Sequence, residues 1–273
     1  MQAERSISEA LPASNGTSAP GTDAAATRPH AAPAGTDPDS FCVIIPTLHE
    51  AGIIFETVSH ARSFPDVAEV VVVDGGSGDG TVDRALLAGA RVLRAPRGRG
   101  SQMNAGAHAS RAPNLVFLHA DCRLPRTAFT AMRSVFARGH QAGVFAIDYG
   151  SPHLLLRLVA ALSSLRTPWT QFGEAALFVR REHFSAVGGF PDWPFFEDVE
   201  VLSRLRRRGK LGRADGRVLA SPRRYEKRGV WRQQLLNLLL YTLFRFGIPP
   251  HRLLRLYEGG RLARRVPEKR GSA

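Results

Sequence analysis

The chain has 273 residues, of which 44% are hydrophobic and 22% are charged, and it contains only two cysteines. This composition excludes collagenous, wholly disordered and disulfide-rich proteins, and the length allows one well-filled core. The net charge of +13 suits nucleic acid, an anionic membrane surface or a phosphorylated substrate. Because only three of the 37 basic residues are lysines, an arginine bias from codon composition accounts for part of the charge equally well.

The first forty residues differ from the rest of the chain. Residues 1–40 are rich in Ala, Pro, Thr, Ser and Gly, and this composition predicts a disordered tail. A start codon set too far upstream is the alternative explanation. The segment has no apolar core behind a basic start, so we expect no signal peptide. Since neither cysteine lies in a CxxC pair or at zinc spacing, we expect a cytoplasmic protein.

From residue 42 onward, short apolar runs alternate with helical patterns. Strands are predicted at 42–46, 70–73, 91–93, 115–118 and 143–147. Helices are predicted at 51–62, 81–87, 102–109 and 126–138. Such alternation is typical of a doubly wound α/β fold with a mostly parallel sheet and right-handed crossovers. We therefore expect one α/β domain over residues 41–228.

Two strongly apolar helices are predicted in the second half of the chain. One covers 154–165, and the other covers 233–246 within a C-terminal apolar and basic extension at 229–273. The second helix is too short to span a bilayer, which takes about 20 apolar residues. Burial against the domain and contact with a membrane surface both stay open.

Polar side chains follow three of the predicted strands. They are Thr47 and Glu50 after the first strand, Asp74 after the second, and His119 and Asp121 after the fourth. Ligands of open α/β sheets bind beyond the carboxyl ends of the strands, and converging carboxylates suit a divalent cation bound to phosphates. The glycine-rich turn at 75–80 lacks Rossmann and Walker spacing. A plain turn with Asp79 capping the next helix explains it as well.

Six stretches, in this order, resemble glycosyltransferase family 2, whose members have the GT-A fold: CVIIPTLHE, VVVDGGSGDGT, GRGSQMNAGA, FLHADCRLP, GEAALFVRRE and FFEDVEVLSRLRRRGK. The resemblance covers about residues 41–225. Within the family the chain most resembles the small bacterial branch named for arsenosugar biosynthesis and associated with radical-SAM and selenodomain proteins. That branch shares the QMNAG and RRY-like stretches.

The resemblance implies a nucleotide diphosphate sugar as donor and Mn²⁺ or Mg²⁺ as cofactor. Its motifs place nucleotide-sugar binding at Pro46, Thr47, Glu50, Asp74, Gly75, Ser77, Arg99, Gln102, Asn104, Arg223 and Arg224. Asp121 falls on the last acid of the DxD motif and is the expected metal ligand. His119 replaces the first acid and is a second candidate, so metal affinity and preference can differ from those of an Asp-x-Asp site.

The resemblance also implies an acceptor side. Glu197-Asp198 matches the ED motif, in which Asp198 is the general base that removes a proton from an acceptor hydroxyl in inverting transfer. The structural alternative is an acid that favours the dipole of the helix it begins. Gly173, Glu174 and Glu197 are expected to face the acceptor. The acceptor itself is unknown, and the apolar helices favour a lipid-like molecule and a location at the inner face of the membrane.

Three other functions compete with that of a glycosyltransferase. A nucleotidyltransferase of the same fold would bind the same ligands, but PTLHEAG lacks the glycine-rich arginine loop expected after its first strand. A basic nucleic-acid-binding protein would interleave aromatic residues with its basic run, and this chain does not, so no nucleic-acid partner is expected. A degenerate transferase that only binds a partner stays open.

Overall fold

The computed structural model describes residues 37–163, 176–223, 225, 229–254 and 257. The strands are β1 (Phe41–Thr47), β2 (Val67–Asp74), β3 (Arg91–Arg94), β4 (Asn114–Leu118), β5 (Cys122–Arg123), β6 (Ala142–Asp148), β7 (Ala176–Arg180) and β8 (Gly212–Ala220). The helices are α1 (Ile54–Arg62), α2 (Thr81–Leu87), α3 (Arg99–Ala109), α4 (Ala128–Ala137), α5 (Leu154–Ser163), α6 (Arg181–Ala186), α7 (Glu197–Arg208) and α8 (Val230–Arg245). The predicted tail lies outside this part of the chain, except for its last four residues.

The eight strands form one mixed sheet in the order β3-β2-β1-β4-β7-β6-β8-β5. Strands β3, β2, β1 and β4 are parallel to their neighbours, and so are β6 and β8. Strand β7 runs antiparallel to both β4 and β6, and β5 runs antiparallel to β8. The prediction of a mostly parallel sheet with helices is confirmed.

The sequence patterns missed three strands, β5, β7 and β8. Strand β8 has the sequence GRADGRVLA, whose glycines and charged residues hide the alternation of a half-buried strand. Its register with β6 shifts between Val144 and Ala146, which also breaks the period. Helix α3 begins at Arg99, three residues earlier than expected, and α8 covers Val230–Arg245 rather than 233–246.

Helices cover both faces of the sheet, as the doubly wound pattern predicts. Strand β1 is buried along its whole length. Val43 and Ile45 join the apolar cluster that includes residues of α1 and α4, whereas Cys42 and Ile44 join the cluster that includes α3 and α7. Because β1, β2 and β4 are parallel, their carboxyl ends lie at one edge of the sheet, where Thr47 pairs with Asp74.

No helix among the residues described above combines the length and the apolar character needed to cross a membrane.

Helix α3 packs very closely on this edge of the sheet. A β-carbon at Gly106 would lie 2.5 Å from Cγ2 of Ile44 and 3.1 Å from Cγ2 of Val73. Both contact residues are buried, so neither side chain has room to move away. The glycine therefore allows α3 to lie directly against β1 and β2.

Replacing Gly106 with Ala tests this contact. Alanine is the better helix former by about 1 kcal/mol, yet overpacking at this position should lower the free energy of unfolding by about 1–3 kcal/mol. Gly52→Ala is the control, because a β-carbon there meets nothing within 4 Å. Urea denaturation measures both variants, and a Gly106→Ala protein as stable as wild type would contradict the close packing.

Candidate functional site

The Asp74 side chain is fully buried at the end of β2. Its Oδ2 accepts hydrogen bonds from the backbone N–H groups of Gly76 and Ser77, each at 2.9 Å. Its Oδ1 has no hydrogen-bond partner within the part of the chain that the structure describes. A buried carboxylate oxygen without a donor is costly, so Asp74 is placed to accept a hydrogen bond from a ligand.

Gln102 fixes the two strand ends rather than facing a ligand. Its Nε2 donates to the carbonyl oxygens of Thr47 and Val73, at 2.8 and 2.7 Å, and its Oε1 accepts from the Gly98 N–H at 3.3 Å. Gly75 lies against this amide, since a β-carbon there would be 3.2 Å away. With its whole amide bonded to the protein backbone, Gln102 holds the ends of β1 and β2 in place, and its predicted contact with a nucleotide stays a prediction.

The loop after β1 and the glycine-rich turn after β2 are joined by hydrogen bonds. The His49 N–H donates to Ser77 Oγ, and the Glu50 N–H donates to Thr81 Oγ1, each at 2.9 Å. Asp79 accepts from the Thr81 N–H at 3.2 Å, but the N-cap of α2 is Gly80, so Asp79 lies one residue before the predicted capping position. Pro46, Thr47, Glu50, Gly75 and Ser77 therefore belong to one edge of the molecule.

Helix α3 also holds the segment that leads into α7. The side chain of Asn104 donates to the carbonyl of Phe190 at 2.8 Å and accepts from its N–H at 3.0 Å. Ser101 donates to Asp192 Oδ1 at 2.8 Å. Like Gln102, Asn104 is engaged with the backbone of the protein. Both polar side chains of the QMNAG stretch thus act as positioning groups.

A guanidinium group lies among three carboxylates from distant parts of the chain. Arg99 Nε is 2.7 Å from Oε1 of Glu197, whose side chain is only 1% exposed. Burial lowers the pKa of Arg99, but the carboxylates of Glu197, Asp198 and Asp121 outweigh it and raise that pKa above its ordinary value. Asp121 follows β4 and Asp198 is the second residue of α7, and the charges of both acids contribute to the raised pKa of Arg99, that of Asp121 more weakly.

Glu197, the acid that pairs with Arg99, has a raised pKa, at about 7 instead of 4.5. Burial is the main cause, and the charge of the neighbouring Asp198 raises the pKa of Glu197 further. The charge of Arg99 lowers this pKa in part. Asp198 is half-buried, and its Oδ1 accepts the N–H of Val199 at 2.8 Å. One oxygen of Asp198 is thereby bonded to the backbone of α7.

The segment that follows β8 lies next to Asp121. The Ser221 N–H donates to the Asp121 carbonyl at 3.0 Å, because β5 pairs with the end of β8. Two residues later, Arg223 Nη2 donates to Glu50 Oε2 at 2.8 Å. This ion pair connects the segment after β8 to the loop after β1, so Arg223 lies at the predicted nucleotide edge.

Tyr149 is a residue of this region that sequence reasoning missed. Its ring lies edge-on to Tyr225, with centroids 5.3 Å apart and the two hydroxyls 3.3 Å apart. Burial, Tyr225 and more weakly the Asp121 charge raise the pKa of Tyr149. Its one signal in the sequence was its place directly after the apolar run of β6, where the other site residues also follow strands.

The residue before the Glu197-Asp198 pair has an unusual backbone. Phe196 has φ = 60°, and of the described non-glycine residues only it and His49 have positive φ. Such a conformation costs about 1–3 kcal/mol and persists where packing enforces it. The Phe196 ring stacks on Phe244 of α8, with centroids 4.6 Å apart. Helix α8 therefore helps to hold the backbone turn that presents Asp198.

Apolar side chains and Asp198 line a small cavity. This cavity of about 20 Å³ adjoins the carboxylate and is otherwise lined by Met103, Phe117, Leu177, Phe190, Val201 and Leu202. These side chains come from α3, β4, β7, α7 and the segment before α7. Asp198 thus lies at the border of the apolar core between α3 and α7.

Asp121 and His119 suit a metal ion that binds together with a phosphate-bearing ligand. No group of three or more His, Cys, Asp and Glu side chains able to hold a metal ion occurs among the described residues. Asp121 and His119, both half-buried, could supply one or two ligands. Magnesium in particular is often held by one or two carboxylates together with substrate phosphates. The residues present therefore fit an ion that shares the diphosphate of a bound nucleotide.

Part of the positive charge lies away from this site. A groove of about 980 Å³ is lined by basic side chains at the starts of β6 and β8: Arg138, His140, Arg206, Arg207, Arg208, Lys210 and Arg213. Both strands run parallel to β1, so this groove is at the opposite edge of the sheet from Asp74. The predicted residues Gly173, Glu174 and Arg224 lie outside the described residues.

Comparison with known proteins identifies the type of domain. Residues 42–168 match the family model "Glycosyl transferase family 2". Glycosyltransferase AglJ of Haloferax volcanii is 33% identical over 105 residues, which cover 38% of this chain and 34% of AglJ. The matched region thus spans about a third of that relative. These matches show that residues 42–168 resemble a glycosyltransferase family 2 domain, which agrees with the predicted enzyme class.

Solved structures confirm the predicted GT-A-like fold. The mannosyltransferase PcManGT from Pyrobaculum calidifontis, solved with GDP-Man and Mn²⁺, is 22% identical, with a TM-score of 0.58 over 79% of this chain and 68% of that one. The glucosyl-3-phosphoglycerate synthase from Mycobacterium tuberculosis, solved with Mn²⁺, UDP and glucosyl-3-phosphoglycerate, is 21% identical. Its TM-score is 0.54 over 77% of this chain and 81% of that one.

Replacing Glu197 with Gln tests the burial of this acid. Between pH 4.5 and about 7 the folded protein holds a proton on Glu197 that the unfolded chain has released, so the free energy of unfolding should fall as the pH rises through this window. This part of the pH dependence should disappear in Glu197→Gln. The exposed Glu182→Gln on α6 is the control. Urea denaturation at several pH values measures the effect, and an unchanged pH profile in Glu197→Gln would contradict it.

Proposed function

We propose that this protein is an inverting glycosyltransferase that moves a sugar from a nucleotide diphosphate sugar to an acceptor hydroxyl. The observation that carries the proposal is the ion pair between Arg99 Nε and Glu197 Oε1, at 2.7 Å, which holds the Glu197-Asp198 turn against the start of α3. The same helix holds the ends of β1 and β2 through Gln102, and the charges of Asp198 and Asp121 both raise the pKa of Arg99. The family match over residues 42–168 and the fold support the enzyme class. The inverting course and the roles of single residues are part of the proposal.

The donor's nucleoside binds at the edge formed by β1 and β2. The unpartnered Oδ1 of Asp74 accepts a hydrogen bond from the base or the ribose. Thr47 pairs with Asp74 across the two strands and Gly75 follows it, and Gln102 lies against both residues. The diphosphate then extends toward Arg223 and Arg99, whose guanidinium groups suit phosphate oxygens. Arg224 is expected beside them.

Asp121, with His119 beside it, would hold a Mn²⁺ or Mg²⁺ ion on the diphosphate. When bound, this cation offsets the negative charge that develops on the departing nucleoside diphosphate. Two similar structures were solved with Mn²⁺ and a nucleotide or nucleotide sugar, which supports this expectation. Asp121 needs the diphosphate as a partner in binding the ion, because the described residues hold no complete metal cluster.

Asp198 acts as the general base. The acceptor oxygen attacks the anomeric carbon while its proton passes to the Asp198 carboxylate, and the bond from that carbon to the phosphate oxygen breaks. The bonding electrons leave with the nucleoside diphosphate, and attack from the opposite face inverts the anomeric centre. Glu197 pairs with Arg99 and so positions the base. Because one Asp198 oxygen is held by Val199, the other is directed to the acceptor.

The acceptor side includes Gly173, Glu174 and Glu197, and we propose a lipid-like acceptor used at the inner face of the membrane. Support comes from α5 and α8, whose apolar side chains are largely exposed. The arsenosugar branch is the proposed subfamily, supported by the QMNAG stretch. Its Gln102, Asn104 and Gly106 all have structural roles at the site.

Replacing Asp198 with Asn should abolish transfer while donor binding persists. Loss of a positioned base lowers rates by about 10²–10⁴-fold, and the amide keeps the shape of the side chain. The control is Glu200→Gln, which alters the same helical turn but removes only an acid paired with Arg204 and Arg207. Release of nucleoside diphosphate measures transfer, and calorimetry measures donor affinity. Equal loss of donor binding in Asp198→Asn would show that the assignment of the base is wrong.

A panel of nucleotide diphosphate sugars, each with and without Mn²⁺, tests the donor site. A ligand that binds only the folded protein raises its Tm, and we expect one donor to do so mainly when Mn²⁺ is present. Asp121→Ala should remove the part of the shift that depends on Mn²⁺. The exposed Asp83→Ala on α2 should leave the shift unchanged. If no donor in the panel shifts the Tm, the proposed nucleotide site is wrong.

A further inference from the structure

Helix α8 is apolar on both of its faces. Leu240 and Tyr241 are buried against the protein, but Trp231, Leu235, Leu238, Leu239 and Phe246, just past its end, are exposed. The exposed fractions range from 54% for Leu239 to 82% for Phe246. A helix that is apolar all round is normally covered on every side. Among the residues that the structure describes, one face of α8 therefore has no cover of matching chemistry.

The exposed apolar residues of α8 form a stripe bordered by arginines. With 3.6 residues per turn, consecutive residues lie about 100° apart around the helix axis. Leu238 and Leu239 lie at the two edges of the stripe, which therefore covers about 100° of the helix surface, and the other exposed apolar residues lie between them. Arg245 lies about 20° beyond one edge and Arg232 about 20° beyond the other. Apolar residues flanked by basic ones on a single helix face are typical of helices that lie in the surface of a membrane.

Helix α5 contacts α8 and also has exposed apolar and basic side chains. Its exposed Leu154, Leu158 and Leu162 recur every four residues, and Arg157 lies on the same side. Together the two helices carry eight of the twelve large hydrophobic side chains that are exposed in the described structure. The segments 149–163 and 229–254 contain no aspartate or glutamate. We call the exposed side chains of α5 and α8 the apolar-basic face.

We propose that the apolar-basic face docks on the surface of a bilayer that contains anionic phospholipids. The apolar stripes would enter the boundary between headgroups and acyl chains, and Arg157 and Arg232 would contact the phosphates. The positive charge of the apolar-basic face favours an anionic bilayer over a second copy of the chain as its partner. Two copies joined through this face would place arginines opposite arginines with no acid in either segment to pair with them.

Docking would also bring the proposed base close to the membrane. Phe244, on the inner side of α8, lies 4.6 Å from the ring of Phe196 and 6.0 Å from Trp193. Phe196 directly precedes the Glu197-Asp198 pair. The docked helix therefore contacts the turn that presents Asp198. The docking surface itself is argued from α5 and α8 alone and does not depend on the transfer reaction.

Flotation of the full chain with lipid vesicles tests the proposal without any donor or acceptor. The protein should float with phosphatidylcholine vesicles that contain phosphatidylglycerol, and much less with phosphatidylcholine alone. The double variant Leu235→Gln/Leu239→Gln should bind about tenfold more weakly or worse, because it removes two inserted side chains. Leu87→Gln on α2 is the matched control, since Leu87 is also an exposed leucine, at 78%.

A second pair of variants tests the charges without altering any apolar contact. Arg157→Gln/Arg232→Gln should weaken binding to the anionic vesicles by about fivefold for each arginine removed, whereas the exposed Arg84→Gln on α2 should not. Urea denaturation of every variant excludes misfolding as the cause of weaker binding.

Any of three results would overturn the proposal. The first is that the wild-type chain fails to float with anionic vesicles at low salt. The second is that Leu235→Gln/Leu239→Gln floats as well as wild type. The third is that sedimentation shows a wild-type dimer that this double variant dissociates. The apolar-basic face would then be an interface between two copies.

Discussion

The site depends on one arginine that neutralises acids which would otherwise repel each other. Glu197 and Asp198 are adjacent, and Asp121 also acts on the same guanidinium. Burial alone raises the pKa of Glu197, and the charge of Asp198 raises it further. Without a fixed cation, the cluster could hold its charges only at a large cost in desolvation and repulsion. Arg99 offsets this cost, so acids from β4 and α7 can converge where a diphosphate and an acceptor would meet.

Helix α3 connects this cluster to the rest of the sheet edge. Its first residue, Arg99, pairs with Glu197, its amide side chains hold the strand ends and the segment before α7, and Gly106 allows contact with β1. A single short helix therefore sets the distance between the nucleotide edge and the proposed base. The opposite end of the site depends on α8, whose Phe244 supports the strained Phe196. If α8 lies on a membrane, the same helix links the base to the surface where a lipid-like acceptor would be found.

Much of the fold and the position of the site edge could be predicted, because buried parallel strands are recognisable in the sequence. The buried runs of β1, β2 and β4 are nearly continuous apolar stretches, and their polar successors Thr47, Asp74 and Asp121 mark the site edge. Strand β8 was missed because glycine and charged residues interrupt its period, and Tyr149 was missed because one tyrosine after a strand carries no specific signal. The roles of Gln102 and Asn104 could not be predicted, since a motif identifies a residue but not whether its amide faces a ligand or the backbone. The proposed roles of Asp121, Asp198 and the arginines stay predictions.

In the proposed site, Asp121 and Asp198 line one crevice organised by Arg99. Anomalous scattering of Mn²⁺ in crystals grown with Mn²⁺ and a nucleoside diphosphate tests this arrangement. We expect an anomalous peak beside the Asp121 carboxylate, in contact with the diphosphate, and the Asp198 carboxylate opening into the same crevice. A peak in the basic groove at the opposite edge of the sheet, or an Asp198 that opens into a separate region, would contradict it.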